Sequence, residues 1–179
     1  MLNAANILTL ARICAVPLIV LVLYFPGKIS CLMALLLFVA ACLTDYVDGL
    51  VARKYNLVTN AGKFMDPIAD KILIAAVLVM LTELHWLPAW IAIIIISREI
   101  IVTGLRAIAA DQGKVIAADM LGKSKTLIQM FALGPLILHY PWFGFDPVPL
   151  GTFILYIALV LTILSGANYL RNFYKIWME

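Results

Sequence analysis

Long apolar runs separated by short polar breaks dominate the chain. The runs cover residues 7–25, 29–51, 66–84, 88–108, 121–139 and 151–172. Each approaches or exceeds the ~20 residues that an α-helix needs to cross a bilayer. The breaks contain turn-forming residues, such as Pro26-Gly27 and Pro147-Val148-Pro149. We therefore predict an all-α integral membrane protein with six transmembrane helices, preceded by a short interfacial segment over residues 1–6.

Composition agrees with this interpretation. Of the 179 residues, 65% are hydrophobic and 13% are charged, whereas an average soluble domain is about 25% charged. We expect one membrane domain over residues 1–179, because no hydrophilic stretch is long enough to fold separately. The net charge of +3 is spread among helix ends, so nucleic-acid binding is not expected. Cys14, Cys31 and Cys42 lie within apolar runs and are predicted to be buried reduced thiols.

The basic residues predict how the six helices are oriented. Threading the helices places twelve of the 13 lysines and arginines on the side of the N- and C-termini, and Lys28 on the other. Under the positive-inside rule the richer side is cytoplasmic, which predicts a multi-pass protein of the cytoplasmic (inner or plasma) membrane. The opposite side carries residues that suit an interfacial aromatic belt, together with two interfacial histidines: Tyr24, His85, Trp86, Trp90, His139, Tyr140 and Trp142.

Four carboxylates near the cytoplasmic ends of the second and third helices form the first candidate site. Asp45 and Asp48 are three positions apart and Asp66 and Asp70 are four apart, so each pair shares one helix face. An Asp near the centre of a membrane helix costs roughly 2.5–3.5 kcal/mol. Divalent cations such as Mg²⁺ or Mn²⁺ would offset that cost, and two such ions would suit displacement at phosphorus. We therefore predict that the four carboxylates form a metal site for displacement at phosphorus and that this site faces the cytoplasm.

Simpler interpretations of these acids exist. Asp45 and Asp48 would also suit a solvated helix end. Asp66 precedes Pro67, and Asp at the N-cap followed by Pro is a common helix start. Capping alone does not explain Asp70, which comes one turn later.

A second polar stripe lies in the first helix, at Asn6, Thr9 and Arg12. Thr9 could bond to its own helix backbone, and the Arg12 side chain could extend to the interface. The alternative is contact with a lipid phosphate at the cytoplasmic end, where Arg12 is predicted to lie. We take this stripe as a candidate lipid-binding site.

A third constellation lies in the fourth and fifth helices. Arg98 and Arg106 are eight positions apart, about two turns on one face, and Thr103 lies between them. Lys123 and Lys125 open the fifth helix. Arginines within an apolar run are costly unless they meet an anion. Glu99 could neutralise one of them, but a phosphorylated acceptor held by arginine forks and lysine charges fits the set better.

The acidic stretch also carries a family resemblance. Asp45-x-x-Asp48-Gly49-x-x-Ala52-Arg53, followed after eight residues by Gly62-x-x-x-Asp66-x-x-x-Asp70, resembles the signature of the CDP-alcohol phosphotransferases. The resemblance implies that the four Asp hold two Mg²⁺ or Mn²⁺ ions, that Asp70 is also the general base, and that the protein is a homodimer in the lipid bilayer. It also implies a pocket for the CDP-lipid, to which we add the polar stripe of the first helix. That candidate pocket comprises Asn6, Thr9, Arg12, Asp45, Gly49, Ala52, Arg53 and Gly62.

The third constellation resembles one branch of this family. Arg98-Glu99-Ile100-Ile101, through Arg106 to Gly122-Lys123-x-Lys125-Thr126, is similar to the phosphatidylglycerophosphate synthases. This implies transfer of a phosphatidyl group from CDP-diacylglycerol to glycerol 3-phosphate, with release of CMP. The same chemistry with another acceptor, such as inositol phosphate, is one alternative. An intramembrane prenyltransferase and a divalent-cation transporter are alternatives of other classes.

Overall fold

Each of the six apolar runs forms an α-helix in the computed structural model of the chain. The helices are α1 (Ala4–Tyr24), α2 (Lys28–Lys54), α3 (Asn60–Glu83), α4 (Ala89–Asp111), α5 (Met120–Leu138) and α6 (Val148–Met178). The structure describes the backbone of residues 4–54, 60–111 and 120–178, and the side chains of residues 10–44, 68–110, 122 and 124–174. The prediction of an all-α protein with six helices is confirmed.

Two helix starts differ from the prediction. Helix α1 begins at Ala4, so residues 4–6 belong to it and do not form a separate interfacial segment. Alanine is the strongest helix former, which explains why this helix extends beyond its apolar run. Helix α3 begins at Asn60, six residues before Asp66. The N-cap interpretation of Asp66 is therefore wrong, because that residue lies inside the helix.

The helices differ in how continuous their apolar character is. Within the described ranges, one helix, Val148–Tyr174, is long and apolar enough to cross a membrane by its length and composition. Shorter apolar helices cover Leu10–Tyr24, Lys28–Thr44 and Ser124–Leu138. Charged residues such as Arg98 and Glu99 interrupt the apolar character of α4.

The outward faces of the helices are also apolar. Large side chains such as Leu21, Phe131 and Phe153 are 60%, 72% and 66% exposed. An apolar surface of this extent is unusual for a soluble monomer and is typical of a protein that contacts lipid.

Two groups of helices pack around a shared apolar core. Helix α1 packs against α2 and α3, while α6 packs against α4 and α5, and α2 also contacts α5. Leu23, Phe38, Leu78, Ile95 and Leu136 are fully or almost fully buried in this core. The two groups therefore form one body around this core.

A close approach joins α5 and α6. A Cβ atom added at Gly151 would lie 2.9 Å from Leu136 Cγ and 3.1 Å from the carbonyl oxygen of Ala132. A side chain at this position would therefore force Leu136 or the backbone of α5 to shift. The missing side chain allows the two helices to pack at close range.

One end of the bundle is aromatic. The rings of Trp86 and His139 stack with centroids 3.6 Å apart, and Lys28 Nζ lies 4.7 Å from the ring centroid of Trp142. His85 and His139 adopt positive φ angles of 60° and 51° where α3 and α5 end, a conformation common just beyond helix C-termini. The start of α2 and the end of α3 thus lie at the same end, so these two helices are antiparallel.

The three cysteines lie in different surroundings. Cys31 is buried, Cys42 is half-buried and Cys14 is exposed. The prediction of a buried thiol is wrong for Cys14, because α1 packs through the face that carries Arg12 and Ile19 and Cys14 lies off that face.

Candidate active site

Arg12 joins the first three helices. Its side chain on α1 is 1% exposed, and Nη1 donates to Oδ1 of Asp70 on α3 at 2.8 Å. Its Nε donates to the carbonyl oxygen of Ala41 on α2 at 3.4 Å. Arg12 therefore does not extend to the interface, as one interpretation of the sequence had it, but lies buried beside the predicted general base.

The Arg12 contacts bring the two halves of the acidic motif together along the backbone. Asp45 follows Ala41 by four positions on α2, and Asp66 precedes Asp70 by four positions on α3. Since α2 and α3 are antiparallel, both motifs extend from Arg12 towards the same end of the bundle. This backbone arrangement is compatible with a shared carboxylate site, and the four-carboxylate cluster itself stays a prediction.

Glu99 organises a cluster of cations on the neighbouring helices. Its carboxylate accepts hydrogen bonds from Lys125 Nζ of α5 and from Arg98 Nη1, the latter at 3.2 Å. Thr103 Oγ1 donates to the backbone carbonyl of Glu99 at 2.6 Å and accepts from Lys71 Nζ of α3. The interpretation in which Glu99 neutralises an arginine is thus correct for Arg98. The same carboxylate also forms an ion pair with Lys125.

Helix α6 binds both arginines of α4. Arg98 Nη2 donates to Ser165 Oγ at 2.9 Å, and Arg106 Nε donates to the hydroxyl oxygen of Tyr169 at 2.6 Å. The two acceptors are four positions apart on α6, one helical turn. Arg98 and Arg106 therefore share the face of α4 that their spacing predicted.

The cations of this region are close enough to interact. Lys71 interacts electrostatically with Arg98, Arg106 and Asp70, and Lys125 interacts with Arg98 and Lys71. We call Lys71, Arg98, Arg106 and Lys125 the basic cluster. In the part of the chain whose side chains are described, Glu99 is the carboxylate paired within it, so positive charge is in excess. Such a cluster suits a dianionic phosphate.

Many predicted site residues fall outside the described side chains. These residues are Asn6, Thr9, Asp45, Asp48, Gly49, Ala52, Arg53, Gly62, Asp66 and Lys123. The predicted residues whose side chains are described come together in two places. Arg12 meets Asp70, and Arg98, Thr103 and Lys125 meet around Glu99, with Arg106 bound to Tyr169 on the same face of α4.

Sequence reasoning missed three residues of this region, namely Lys71, Ser165 and Tyr169. Lys71 follows Asp70 directly, so it was counted only as a basic residue of the cytoplasmic side. The sixth apolar run contains none of the predicted site residues. A signal was present there, because Thr162, Ser165 and Tyr169 are spaced three and four positions apart and so share one helix face.

The carboxylates of the acidic motif are suitable ligands for a divalent cation. Carboxylate oxygens are the ligands that Mg²⁺ and Mn²⁺ prefer, and the acidic motif supplies Asp45, Asp48, Asp66 and Asp70. Of these four residues, Asp70 is the one whose side chain the structure describes. The described side chains alone include no group of three or more potential metal ligands. The donor types and the backbone arrangement fit a divalent ion.

Comparison with known proteins identifies the family. The model of the CDP-alcohol phosphatidyltransferase family matches residues 2–164. A protein of Bacillus subtilis named CDP-diacylglycerol–glycerol-3-phosphate 3-phosphatidyltransferase is 43% identical, covering 99% of this chain and 96% of its own length. Proteins with the same name from Rickettsia bellii and Haemophilus influenzae are 42% and 41% identical, over 94% of this chain and 94% and 92% of their own lengths. The chain therefore belongs to the CDP-alcohol phosphatidyltransferases, a family of membrane-bound enzymes that use a divalent metal ion.

Proposed function

We propose that the chain transfers the phosphatidyl group of CDP-diacylglycerol to sn-glycerol 3-phosphate, forming phosphatidylglycerophosphate and CMP. The observation that carries this proposal is the basic cluster, which adjoins Asp70 and holds more positive charge than Glu99 neutralises. A phosphorylated acceptor supplies the missing negative charge. The names of the relatives agree with this acceptor.

The acceptor phosphate would be bound by the basic cluster. Arginine presents paired N–H groups that match phosphate oxygens, and lysine adds a point charge. Arg106 is held by Tyr169 through Nε, and Lys125 is 2% exposed. A phosphate bound beside the buried Lys125 interacts with that cation more strongly than it would in water. Lys123 is the further candidate from the sequence.

Asp70 would act as the general base. We propose that its carboxylate takes the proton from the 1-hydroxyl of the acceptor. The hydroxyl oxygen then attacks the phosphorus on the lipid side of the diphosphate, and the bond to the CMP oxygen breaks. Arg12 holds Oδ1 of Asp70 at 2.8 Å, which fixes the orientation of the carboxylate. Positioning of this kind accounts for much of the acceleration in phosphoryl transfer.

The donor side of the site rests on the acidic motif. Asp45, Asp48, Asp66 and Asp70 would hold two divalent ions, Mg²⁺ or Mn²⁺, which when bound would neutralise the diphosphate and stabilise the leaving CMP. Gly49, Ala52, Arg53 and Gly62 would line the cytidine-diphosphate pocket, with Asn6 and Thr9 nearby. The support is the family signature, together with the Arg12 contacts that bring Ala41 and Asp70 together.

We further propose that all six helices cross the membrane, with the site and both termini on the cytoplasmic side. The support is the distribution of aromatic and basic residues, since Trp86 and His139 stack at one end of the bundle, whereas Arg106 and Lys125 lie towards the opposite ends of their helices. Cysteine accessibility mapping of position 28 against position 171 in spheroplasts would test the orientation. A homodimer is proposed on the family resemblance alone.

Acceptor preference is the decisive experiment. Protein reconstituted with CDP-diacylglycerol and Mg²⁺ would be offered glycerol 3-phosphate, glycerol or inositol phosphate, and the lipid product identified by mass spectrometry. We expect phosphatidylglycerophosphate and CMP in equal amounts, with glycerol on the order of 100-fold slower or worse. A comparable rate with glycerol would remove the proposed role of the basic cluster. A product containing inositol would retain the family chemistry and replace the acceptor.

A further inference from the structure

Helix α6 carries a buried polar stripe on the face towards α4 and α5. Thr162 and Ser165 are fully buried and Tyr169 is 2% exposed. Polar groups buried in an apolar helix are costly unless they are hydrogen-bonded. Thr162 satisfies its own hydroxyl by donating to the carbonyl oxygen of Ala158 at 2.6 Å. The hydroxyls of Ser165 and Tyr169, in contrast, accept hydrogen bonds from another helix.

Arg98 lies flat against this stripe. Ser165 Oγ donates to the carbonyl oxygen of Thr162 at 3.1 Å, which leaves its lone pairs to accept from Arg98 Nη2 at 2.9 Å. A Cβ atom at Gly166 would lie 3.1 Å from Arg98 Cγ, closer than most real contacts. Glycine at this position therefore gives the arginine its path along α6, and Ser165 fixes the far end of the guanidinium.

Arg106 is held in a different way. Its Nε donates to the Tyr169 hydroxyl at 2.6 Å, and its guanidinium carbon lies 5.0 Å from the centroid of the same ring. The tyrosine thus restrains both the direction and the plane of the guanidinium. Because Nε is the atom engaged, the two terminal nitrogens remain the edge that can form a paired contact with a phosphate.

We propose that Ser165 and Tyr169 are positioning residues for the phosphate of the acceptor, acting through Arg98 and Arg106. This inference rests on the proposed function, because it needs the two arginines to bind that phosphate. Neither α6 residue touches the substrate. Each sets the angle at which an arginine meets it, and a misdirected guanidinium loses the geometry that makes paired hydrogen bonds strong.

The test is a kinetic comparison of tyrosine-to-phenylalanine variants on one helix. Tyr169→Phe removes the hydroxyl and keeps the ring, while Tyr156→Phe makes the same change at a 45% exposed position that contacts Trp90. We expect Tyr169→Phe to raise KM for glycerol 3-phosphate about tenfold, as loss of one charge-assisted hydrogen bond implies. The kcat and the KM for CDP-diacylglycerol should stay within about twofold, and Tyr156→Phe should match the unsubstituted protein.

A double-mutant cycle separates this inference from the proposed function. Arg106→Ala alone should raise KM for glycerol 3-phosphate, and adding Tyr169→Phe to it should have little further effect on that KM, because the proposal routes the effect of the hydroxyl on the phosphate through Arg106. If Arg106→Ala raises that KM and Tyr169→Phe does not, the positioning role is overturned and the proposed acceptor site stands. If Arg106→Ala leaves it unchanged, both assignments fail.

Ser165→Ala provides an independent second variant. It should raise the same KM, with no added effect in an Arg98→Ala background. A fall in kcat with both KM values unchanged, in Ser165→Ala and Tyr169→Phe alike, would indicate a purely structural role and would overturn the proposal. Size-exclusion chromatography and thermal unfolding, both in detergent, check that each variant is folded before its rates are compared.

Discussion

The guanidinium of Arg12 and the carboxylate of Asp70 form an ion pair at 2.8 Å, although the residues are 58 positions apart in the chain. The Arg12 side chain is 1% exposed and that of Asp70 is 28% exposed. The pair therefore reaches from the interior of the bundle to the edge where a substrate can approach. It gives the proposed base a fixed direction.

Removal of this restraint should impair turnover. We expect Arg12→Gln to lower kcat by about tenfold or more, because Asp70 would no longer be held in the orientation for proton removal. Arg12→Lys should recover part of the rate, since an ammonium can pair with Asp70. Arg171→Ala, which alters an exposed arginine of α6, is the control in the same initial-rate assay. An unchanged kcat in Arg12→Gln would show that the ion pair does not contribute to turnover.

Asp70→Asn should nearly abolish product formation while CDP-diacylglycerol binding remains measurable. The amide keeps the size of the side chain but is a far weaker proton acceptor. CMP release and lipid binding to the detergent-purified protein would be measured side by side. Glu83→Gln provides the control, because it makes the same kind of change in an exposed carboxylate at the other end of α3. Substantial turnover by Asp70→Asn would exclude this residue as the base.

Glu99→Gln should destabilise the protein. Lys125 is 2% exposed and pairs with Glu99, so the substitution leaves a buried ammonium without its counter-charge, at a cost of about 3 kcal/mol. Thermal unfolding would report the loss. The double variant Glu99→Gln/Lys125→Met should recover stability, because the buried charge is gone, yet it should bind glycerol 3-phosphate poorly. Equal melting temperatures for Glu99→Gln and the parent would contradict this account.

Two identical glycine substitutions should have opposite effects on stability. Gly151→Ala forces a methyl group against Leu136 and the backbone of α5, and overpacking of this kind costs about 1–3 kcal/mol. Gly104→Ala meets no atom within 4 Å, so it should be neutral or stabilising by up to about 1 kcal/mol. Thermal unfolding in one detergent compares them directly. Similar melting temperatures would show that α5 and α6 pack less closely than described.

Metal removal tests the proposed role of the acidic motif. We expect excess EDTA to abolish product formation and Mg²⁺ or Mn²⁺ to restore it, because the carboxylates need a divalent ion to bind the diphosphate. Direct metal binding, measured by calorimetry without lipid, should fall in Asp45→Asn. Full activity in EDTA would remove the ions from the proposal.

Helix content was predictable because it depends on local pattern, whereas the site depends on contacts between distant segments. Apolar runs gave all six helices, and the spacing of Arg98 and Arg106 gave their common face. The partners on α6 were not predicted, because Ser165 and Tyr169 are ordinary residues in an apolar helix until a cation packs against them. The Arg12–Asp70 pair was missed for the same reason, since each residue was assigned to a separate binding role.

The position of Arg12 has a consequence for how the enzyme is made. Its contacts with Ala41 and Asp70 lie on α2 and α3, which leave the ribosome early, so the surroundings of the proposed base can form while synthesis continues. The arginines of α4 find their hydroxyl partners only when α6, the last helix to emerge, has been inserted. We expect that, in a nascent protein halted before residue 148, the surroundings of Asp70 are ordered, whereas Arg98 and Arg106 still lack their hydroxyl partners on α6.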